Sequence, residues 1–358
     1  MSRYLLVDIG AGTMDLLYFD TNLGQPYKAV VRSPVRTVAE KAEALAGDLV
    51  VTGGEMGGGP ITEVLRRRSR QYKVTMSASA AATLHHDVER VRSWGIQIVD
   101  NETAEALSRN SKTAHLHLED LDLVRIRSIV ESFGVPFDFD IVAACAQDHG
   151  VPPTGVSHLE YRHLLQCRIL DQTPYPHAML YDGRKVPPAF NRLASLARSA
   201  AAVPTREVYV MDSGMAAILG ASMDASVQPG TKTLVLDVAT SHTVGAALEG
   251  EEIAGFFEYH TRDITLERLE ALLEDLAEGK LEHRRILAEG GHGAYMRKSI
   301  HLDAVSSIVA TGPKRALVKP SRLPIRAGAP WGDNMMTGTV GLLEAVRRYK
   351  KLPQLDYD

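Results

Sequence analysis

Short apolar runs that stop at an aspartate recur along the chain. Tyr4-Leu5-Leu6-Val7 stops at Asp8, and Leu234-Val235-Leu236 stops at Asp237. Apolar residues without polar alternation predict strands buried on both faces. After Asp8, a Gly-Ala-Gly-Thr turn leads to a returning strand over Met14–Phe19, and a further turn at Asn22-Leu23-Gly24 leads to Lys28–Val31. The second region repeats this order, with strands over Thr233–Asp237, Thr243–Leu248 and Ile253–Tyr259. Each meander is followed by a helical pattern, at Val38–Ala46 and Leu266–Glu278.

Between the meanders, helices and strands alternate. Leu49–Thr52 reads as a strand broken by Gly53-Gly54, and Gly57-Gly58-Gly59-Pro60 opens a helix running to about Arg68. Ile96–Val99 and Asp140–Cys145 read as strands, and Glu119–Phe133 as a helix ended by Gly134. Residues 151–204 are rich in proline and give only one or two helices. Beyond them come a strand at Glu207–Met211, a small-residue helix at Met215–Ala221, a strand at Ser307–Thr311 stopped by Gly312, and a helix over about Met335–Tyr349. The order βββα…βα therefore occurs twice, as a repeat of architecture rather than of sequence.

Composition narrows the class. The chain has 358 residues, 45% hydrophobic and 23% charged, with a net charge of −4. This length suits two globular domains. The charge gives no footprint for nucleic acid, and the basic run Arg66–Arg70 sits where a helix C-terminus favours cations. No apolar run is long enough to cross a bilayer. The N-terminus enters a strand directly, so no signal peptide is expected. The two cysteines, Cys145 and Cys167, fit a reducing cytoplasm better than a disulfide framework.

The first hairpin is the main chemical signal. Glycines let backbone approach an anion and present N–H groups to it, and Thr13 adds a hydroxyl donor. An aspartate at the strand end beside such a loop is placed to hold Mg²⁺, directly or through water. The second hairpin, Asp237-Val238-Ala239-Thr240-Ser241-His242-Thr243, has the same acid position with a small, polar turn. Two such loops facing each other would clamp a polyphosphate from both sides. An ordinary glycine hairpin is the plainer alternative for either loop alone.

Asp8–Asp15 resembles the first phosphate loop of the actin, Hsp70 and sugar-kinase superfamily, and Asp237–Thr243 its second. Met211–Gly220 is similar to the first connecting helix, Ile308–Pro313 to the adenosine loop, and Asp333–Gly341 to the second connecting helix. The five elements occur in the superfamily's order and span nearly the whole chain. The resemblance implies an α/β fold of two ribonuclease-H-like (actin-like ATPase) domains, at about 1–205 and 206–358, with a nucleotide cleft between them and connecting helices that cross at a hinge. ATP and Mg²⁺ would be the ligands. Asp8 would sit near Mg²⁺; Gly10, Ala11, Gly12 and Thr13, with Asp15 beyond them, would hold the β- and γ-phosphates. Asp212 would order Mg²⁺-bound or attacking water; its place before Ser213-Gly214 also suits a helix N-cap, and the two roles can coexist. Asp237 would be the base or water-positioner. Thr240, Ser241 and Thr243 would supply the second loop's contacts, and Gly312 would approach the adenosine. Two departures stand out: the second loop lacks the usual glycines, and Gly312 is followed by proline where a second glycine is common.

Val50–Glu55 resembles a strand end of the reductive activases, ATPases that share an iron–sulfur cluster across a dimer. That likeness would imply a homodimer. Ala146–Gly150 is similar to the Q-x-H-G segment beside the sugar site of carbohydrate kinases, where Asp148 or His149 would accept a substrate hydroxyl proton. The Gly53–Gly59 and Gln147–Gly150 segments resemble a branch labelled as pyruvate formate-lyase activating enzymes. Radical activases of that kind need three cysteines in a C-x3-C-x2-C array, and this chain has two in all. His85-His86-Asp87 and the pair His115 and His117 are read as surface or half-buried histidines before they are read as metal ligands. Three functions follow: an ATPase whose closure acts on a protein partner, as a reactivase does; a kinase for a small hydroxyl substrate; or a nucleotide-binding relative without hydrolysis.

Overall fold

The computed structural model describes residues 2–110, 113–153 and 155–357. Its strands, in chain order, are β1 (Arg3–Ile9), β2 (Thr13–Asp20), β3 (Pro26–Arg32), β4 (Leu49–Gly53), β5 (Val74–Ser77), β6 (Ile96–Val99), β7 (Ala114–Leu118), β8 (Phe139–Ala146), β9 (Leu180–Asp182), β10 (Thr205–Asp212), β11 (Lys232–Val238), β12 (His242–Glu249), β13 (Glu252–His260), β14 (Gly293–Met296), β15 (Ser307–Thr311) and β16 (Ile325–Ala327).

They form two large sheets of matching design. The first has the order β3-β2-β1-β8-β10-β9 and the second β14-β13-β12-β11-β15-β16. In each, an antiparallel meander is extended by parallel strands, β8 and β10 beside β1, and β15 and β16 beside β11. These are the two ribonuclease-H-like halves expected from the meanders. Leu5, Leu6 and Val7 have no exposed surface, as a strand covered on both faces requires. Fully burying one such leucine contributes about 1.5–3 kcal/mol.

Sequence pattern alone did not show that a third sheet is inserted into the first half. It is all-parallel, with the order β6-β5-β4-β7. Several helices also differ from expectation at their starts, because capping side chains decide them. The helix expected at Val38 begins at Pro34, where Ser33 Oγ accepts from Val35 N at 3.2 Å. The helix expected from Glu119 begins only at Leu123, because the Asp122 carboxylate accepts from Val124 N and Arg125 N. The proline-rich middle holds the helices His158–Leu170 and Asn191–Ala200 around β9.

The expected division at residues 205 and 206 falls at the start of β10, which pairs with β8 in the first sheet. The chain therefore passes to the second sheet only after Asp212, through the helix Ser213–Ala221. The C-terminal helix Thr337–Tyr349 crosses this helix and packs back on β1 and β8. At the crossing the backbones touch: a Cβ on Gly220 would collide with Thr337 O, and one on Gly341 with Ala216 O. No helix among the described residues is long and apolar enough to cross a membrane.

Candidate functional site

The C-terminal ends of β1 and β11 meet at one cavity of about 460 Å³. In the first loop, Gly10 N donates to Thr13 O at 3.0 Å and closes the turn. Ser33 Oγ donates to Gly10 O at 2.6 Å, Arg36 Nε to Ala11 O at 3.3 Å, and Ser33 N to Gly12 O at 3.1 Å. The second loop is braced in the same way. Thr261 Oγ1 donates to Ala239 O, Lys314 Nζ to Thr240 O, Thr261 N to Ser241 O and Ala239 N to His242 O, at 2.8–3.1 Å. Both loops thus have their carbonyls engaged by the protein, which leaves donors as their offer to a ligand, the requirement for an anion cradle. The loops face each other closely: a Cβ on Gly12 would lie 2.8 Å from Thr240 Cγ2.

Three acids converge beside these loops. Asp8 and Asp15 sit opposite each other in the β1–β2 register, and Asp237 holds the equivalent end of β11. Asp8 Oδ1 accepts from the buried Cys145 thiol at 3.2 Å, and the C-terminal helix presses so close that a Cβ on Gly338 would strike the Asp8 carboxylate. Burial pushes the Asp8 carboxyl up to about 6 against that thiol's hydrogen bond. Burial, and then the charge of Asp8, push Asp15 to about 8. Burial pushes Asp237 to about 7, opposed by the hydroxyl of Thr311, which donates to it at 3.0 Å. Asp15 Oδ1 is buried with no hydrogen-bond partner. A cluster of buried carboxylates with an orphaned oxygen has the hard oxygen donors that a Mg²⁺ ion takes; the residues fit that ion.

Asp8, Gly10, Ala11, Gly12, Thr13, Asp15, Asp237, Thr240, Ser241, Gly312 and His149 all line the cavity. Thr243, Asp148 and Asp212 are turned elsewhere. Thr243 is fully buried and pairs with Thr261 Oγ1 at 3.0 Å. Asp148 accepts from the backbone N–H groups of Gly150 and Leu193, at 2.7 and 2.9 Å, so it shapes the loop that presents His149. Asp212 caps the helix Ser213–Ala221 through Gly214 N and Met215 N, and forms an ion pair with Arg162 at 3.0 Å. Its carboxylate is thus engaged by the helix and by Arg162, and Asp15 is the acid that faces Asp8 at the cavity.

Several important residues gave no signal in the sequence. Arg162, on the helix His158–Leu170, pairs with Asp212 and also with Glu258 on β13 at 2.5 Å, so it straps the two sheets together behind the cavity. Burial would raise Glu258, yet Arg162 and the neighbouring histidines hold it well below the usual carboxylate range. Arg192 pairs with the buried Asp120 at 2.7 Å and donates to Gln147 O at 2.8 Å, fixing the Gln147–Gly150 loop. Such partners lie far apart in the chain, and nothing local marks them. The histidines weighed in the sequence have ordinary partners: His115 and His117 share a face of β7 and both bond Thr52 Oγ1, at 2.9 and 3.0 Å, while Asp87 caps a helix and His86 pairs with Glu55 at 3.0 Å.

The family described as "Putative pyruvate format-lyase activating enzyme (DUF1786)" matches residues 56–317, most of the chain. The chain belongs to this family. Among solved structures, an inorganic polyphosphate/ATP-glucomannokinase from Arthrobacter sp. strain KM is 12% identical, covering 97% of this chain and 100% of its own, with a TM-score of 0.38. AlfA from a B. subtilis plasmid, in its filament, is 11% identical over 96% and 98%, with a TM-score of 0.38. A ROK hexokinase from Thermus thermophilus is 13% identical over 98% and 99%, with a TM-score of 0.33. No curated protein matches the sequence. The two sheets themselves carry the fold, each an antiparallel meander extended by parallel strands. The family's label names an activase chemistry, but the chain's two cysteines, one buried in β8 and one on the helix His158–Leu170, are one short of a C-x3-C-x2-C array.

Proposed function

We propose that the chain binds Mg²⁺–ATP between the two hairpins and hydrolyses it, with closure of its halves acting on a protein partner as a reactivase does. The observation that carries this reading is the convergence of Asp8, Asp15 and Asp237 on two facing loops whose carbonyls are all engaged. Asp8 and Asp15 would hold the ion; Gly10, Ala11, Gly12, Thr13, Thr240 and Ser241 would donate to the phosphates; and Gly312 with Asn334 would lie against the nucleoside. The ion, when bound, offsets the charge of the phosphates. Asp237 orients the attacking water and takes its proton as the new P–O bond forms and the β,γ-bridging oxygen leaves. A carboxyl near 7 suits that task, because a base works best with a pKa close to the ambient pH. The touching backbones at Gly220 and Gly341 support the crossing helices as the pivot of closure.

A second reading, transfer to a small hydroxyl substrate, is favoured by one observation. The cavity continues past the hairpins to Glu55, the Met56–Gly59 segment, His149 and Arg192. Of Asp148 and His149, only His149 could then reach the acceptor. Calorimetry with ATP, with and without Mg²⁺, tests the shared core of both readings, and the absence of Mg²⁺-dependent binding would overturn them together. Phosphate release without an added acceptor supports the ATPase. Turnover that requires a sugar or another polyol supports the kinase. Binding without turnover in either case leaves the relative that holds nucleotide without hydrolysis.

A further inference from the structure

Beside the second hairpin lies a group of histidines that the nucleotide reading does not use. His242 opens β12 and His260 closes β13, and the two are direct cross-strand partners with ring centroids 4.8 Å apart. His292 arrives from the loop before β14. Its N–H donates to Glu258 O at 2.8 Å, which fixes it over the end of β13. Its ring lies 4.2 Å from that of His260 and 4.7 Å from that of His242. One ring nitrogen from each of the three falls within 4.8 Å of the others.

We infer that His242, His260 and His292 form a binding site for a divalent transition-metal ion, with an open position facing the cavity that takes a water or substrate oxygen. Imidazole donors select ions of the zinc, iron, nickel and copper type over Mg²⁺. A tetrahedral site with Zn–N near 2.05 Å needs nitrogens about 3.3 Å apart, so each ring has to move by less than about 1 Å.

Two independent features support the site. His242 Nε2 is buried with no hydrogen-bond partner. Leaving such a group unpaired is unfavourable, a cost that a bound ion would remove. The loop is also shaped to deliver His292, because a Cβ on the preceding Gly291 would lie 2.8 Å from the Tyr259 ring and 2.6 Å from Ile286.

An outer partner is in place as well. Glu258 Oε1 lies 3.6 Å from His292 Nδ1, and the glutamate is itself held by Arg162 and Gln147. Carboxylates in this position orient ligating histidines and raise their basicity. His242, Glu258 and His149 line the cavity, so an oxygen ligand could reach the ion from that side. Three protein ligands with a fourth position open is the arrangement of metal sites that act on substrates rather than of closed structural ones.

The test uses the full chain, stripped with a chelator and titrated with Co²⁺ in the absence of nucleotide. Calorimetry and visible absorption should report one Co²⁺ per chain with the bands of a four- or five-coordinate nitrogen site. His260→Ala and His292→Ala should each weaken binding at least tenfold, with circular dichroism unchanged. His163→Ala, in the separate stacked pair with His283, should leave binding as it is. Millimolar Mg²⁺ should not displace Co²⁺. The inference is overturned if the wild-type chain binds no Co²⁺, if His260→Ala (at a half-buried strand end) binds it as well as wild type, or if Mg²⁺ displaces it. Because ATP is absent from the titration, the result stands apart from whether the hairpins bind nucleotide.

Discussion

The two hairpins occupy the same place in matching sheets, yet they carry different chemistry. In the first, strand ends set Asp8 opposite Asp15, so two carboxylates face each other beside a glycine loop. In the second, Asp237 stands opposite Val244, and the loop supplies hydroxyls and a histidine instead. Both brace their carbonyls against neighbouring elements. On the proposed reading the shared backbone would serve an anion and the side chains would divide the rest, the first hairpin holding a cation and the second acting on what lies between.

That division is sharpest at the acids. Asp237→Asn should lower phosphate release by roughly 10²- to 10⁴-fold while leaving ATP affinity nearly unchanged, as expected for loss of a general base. Steady-state kinetics with calorimetry reads both quantities, and a large loss of affinity would break the comparison. Asp8→Asn should do the reverse, weakening Mg²⁺-dependent ATP binding by about a hundredfold, or ~2.7 kcal/mol. Unchanged affinity in that variant would refute its role.

Steric fit comes next. Gly12→Val places methyl groups where Thr240 already stands. It should weaken nucleotide binding about tenfold, within the range expected for overpacking, and adding Thr240→Ala should restore part of it.

The acids also predict a pH signature. Asp8, Asp15 and Asp237 have folded values of about 6, 8 and 7, above those of an unfolded chain. The folded state therefore keeps these protons longer. The stability they contribute is fully present below about pH 4 and is lost as pH rises through 6 to 8. Without Mg²⁺, the melting temperature should fall by a few degrees, roughly, between pH 5.5 and pH 8.5, and Mg²⁺ should reduce that fall. An unchanged melting temperature across this window would show that the cluster is not held protonated. The smallest effect belongs to Thr240→Ala alone, which should cost about fivefold in affinity, the worth of one hydrogen bond.

Much of this was legible in the sequence, for physical reasons. Apolar runs ending at Asp8 and Asp237 mark buried strands, and the small residues of Ser213–Ala221 mark a helix that another can approach closely. Two strands of the third sheet, at Leu49–Thr52 and Ile96–Val99, were visible, but β5 between them is only four residues long and gave no run, so the sheet itself was hidden. Asp212 illustrates a different limit. Its place before a helix fitted both a catalytic and a capping role; the structure shows the cap, together with an ion pair to Arg162, fifty residues earlier in the chain, that nothing local marks. The histidine triad was out of reach altogether, since strand register and one loop bring together residues 242, 260 and 292.

The C-terminal helix has one more consequence, for how the molecule is made. Thr337–Tyr349 covers β1 and β8, so the sheet that β1 belongs to is closed only once that much later helix has been made. Domains usually fold as units while the chain emerges, N-terminal part first. Here the apolar face of β1 waits for the helix Thr337–Tyr349, and a chain released before that helix would expose it to solvent and to its neighbours.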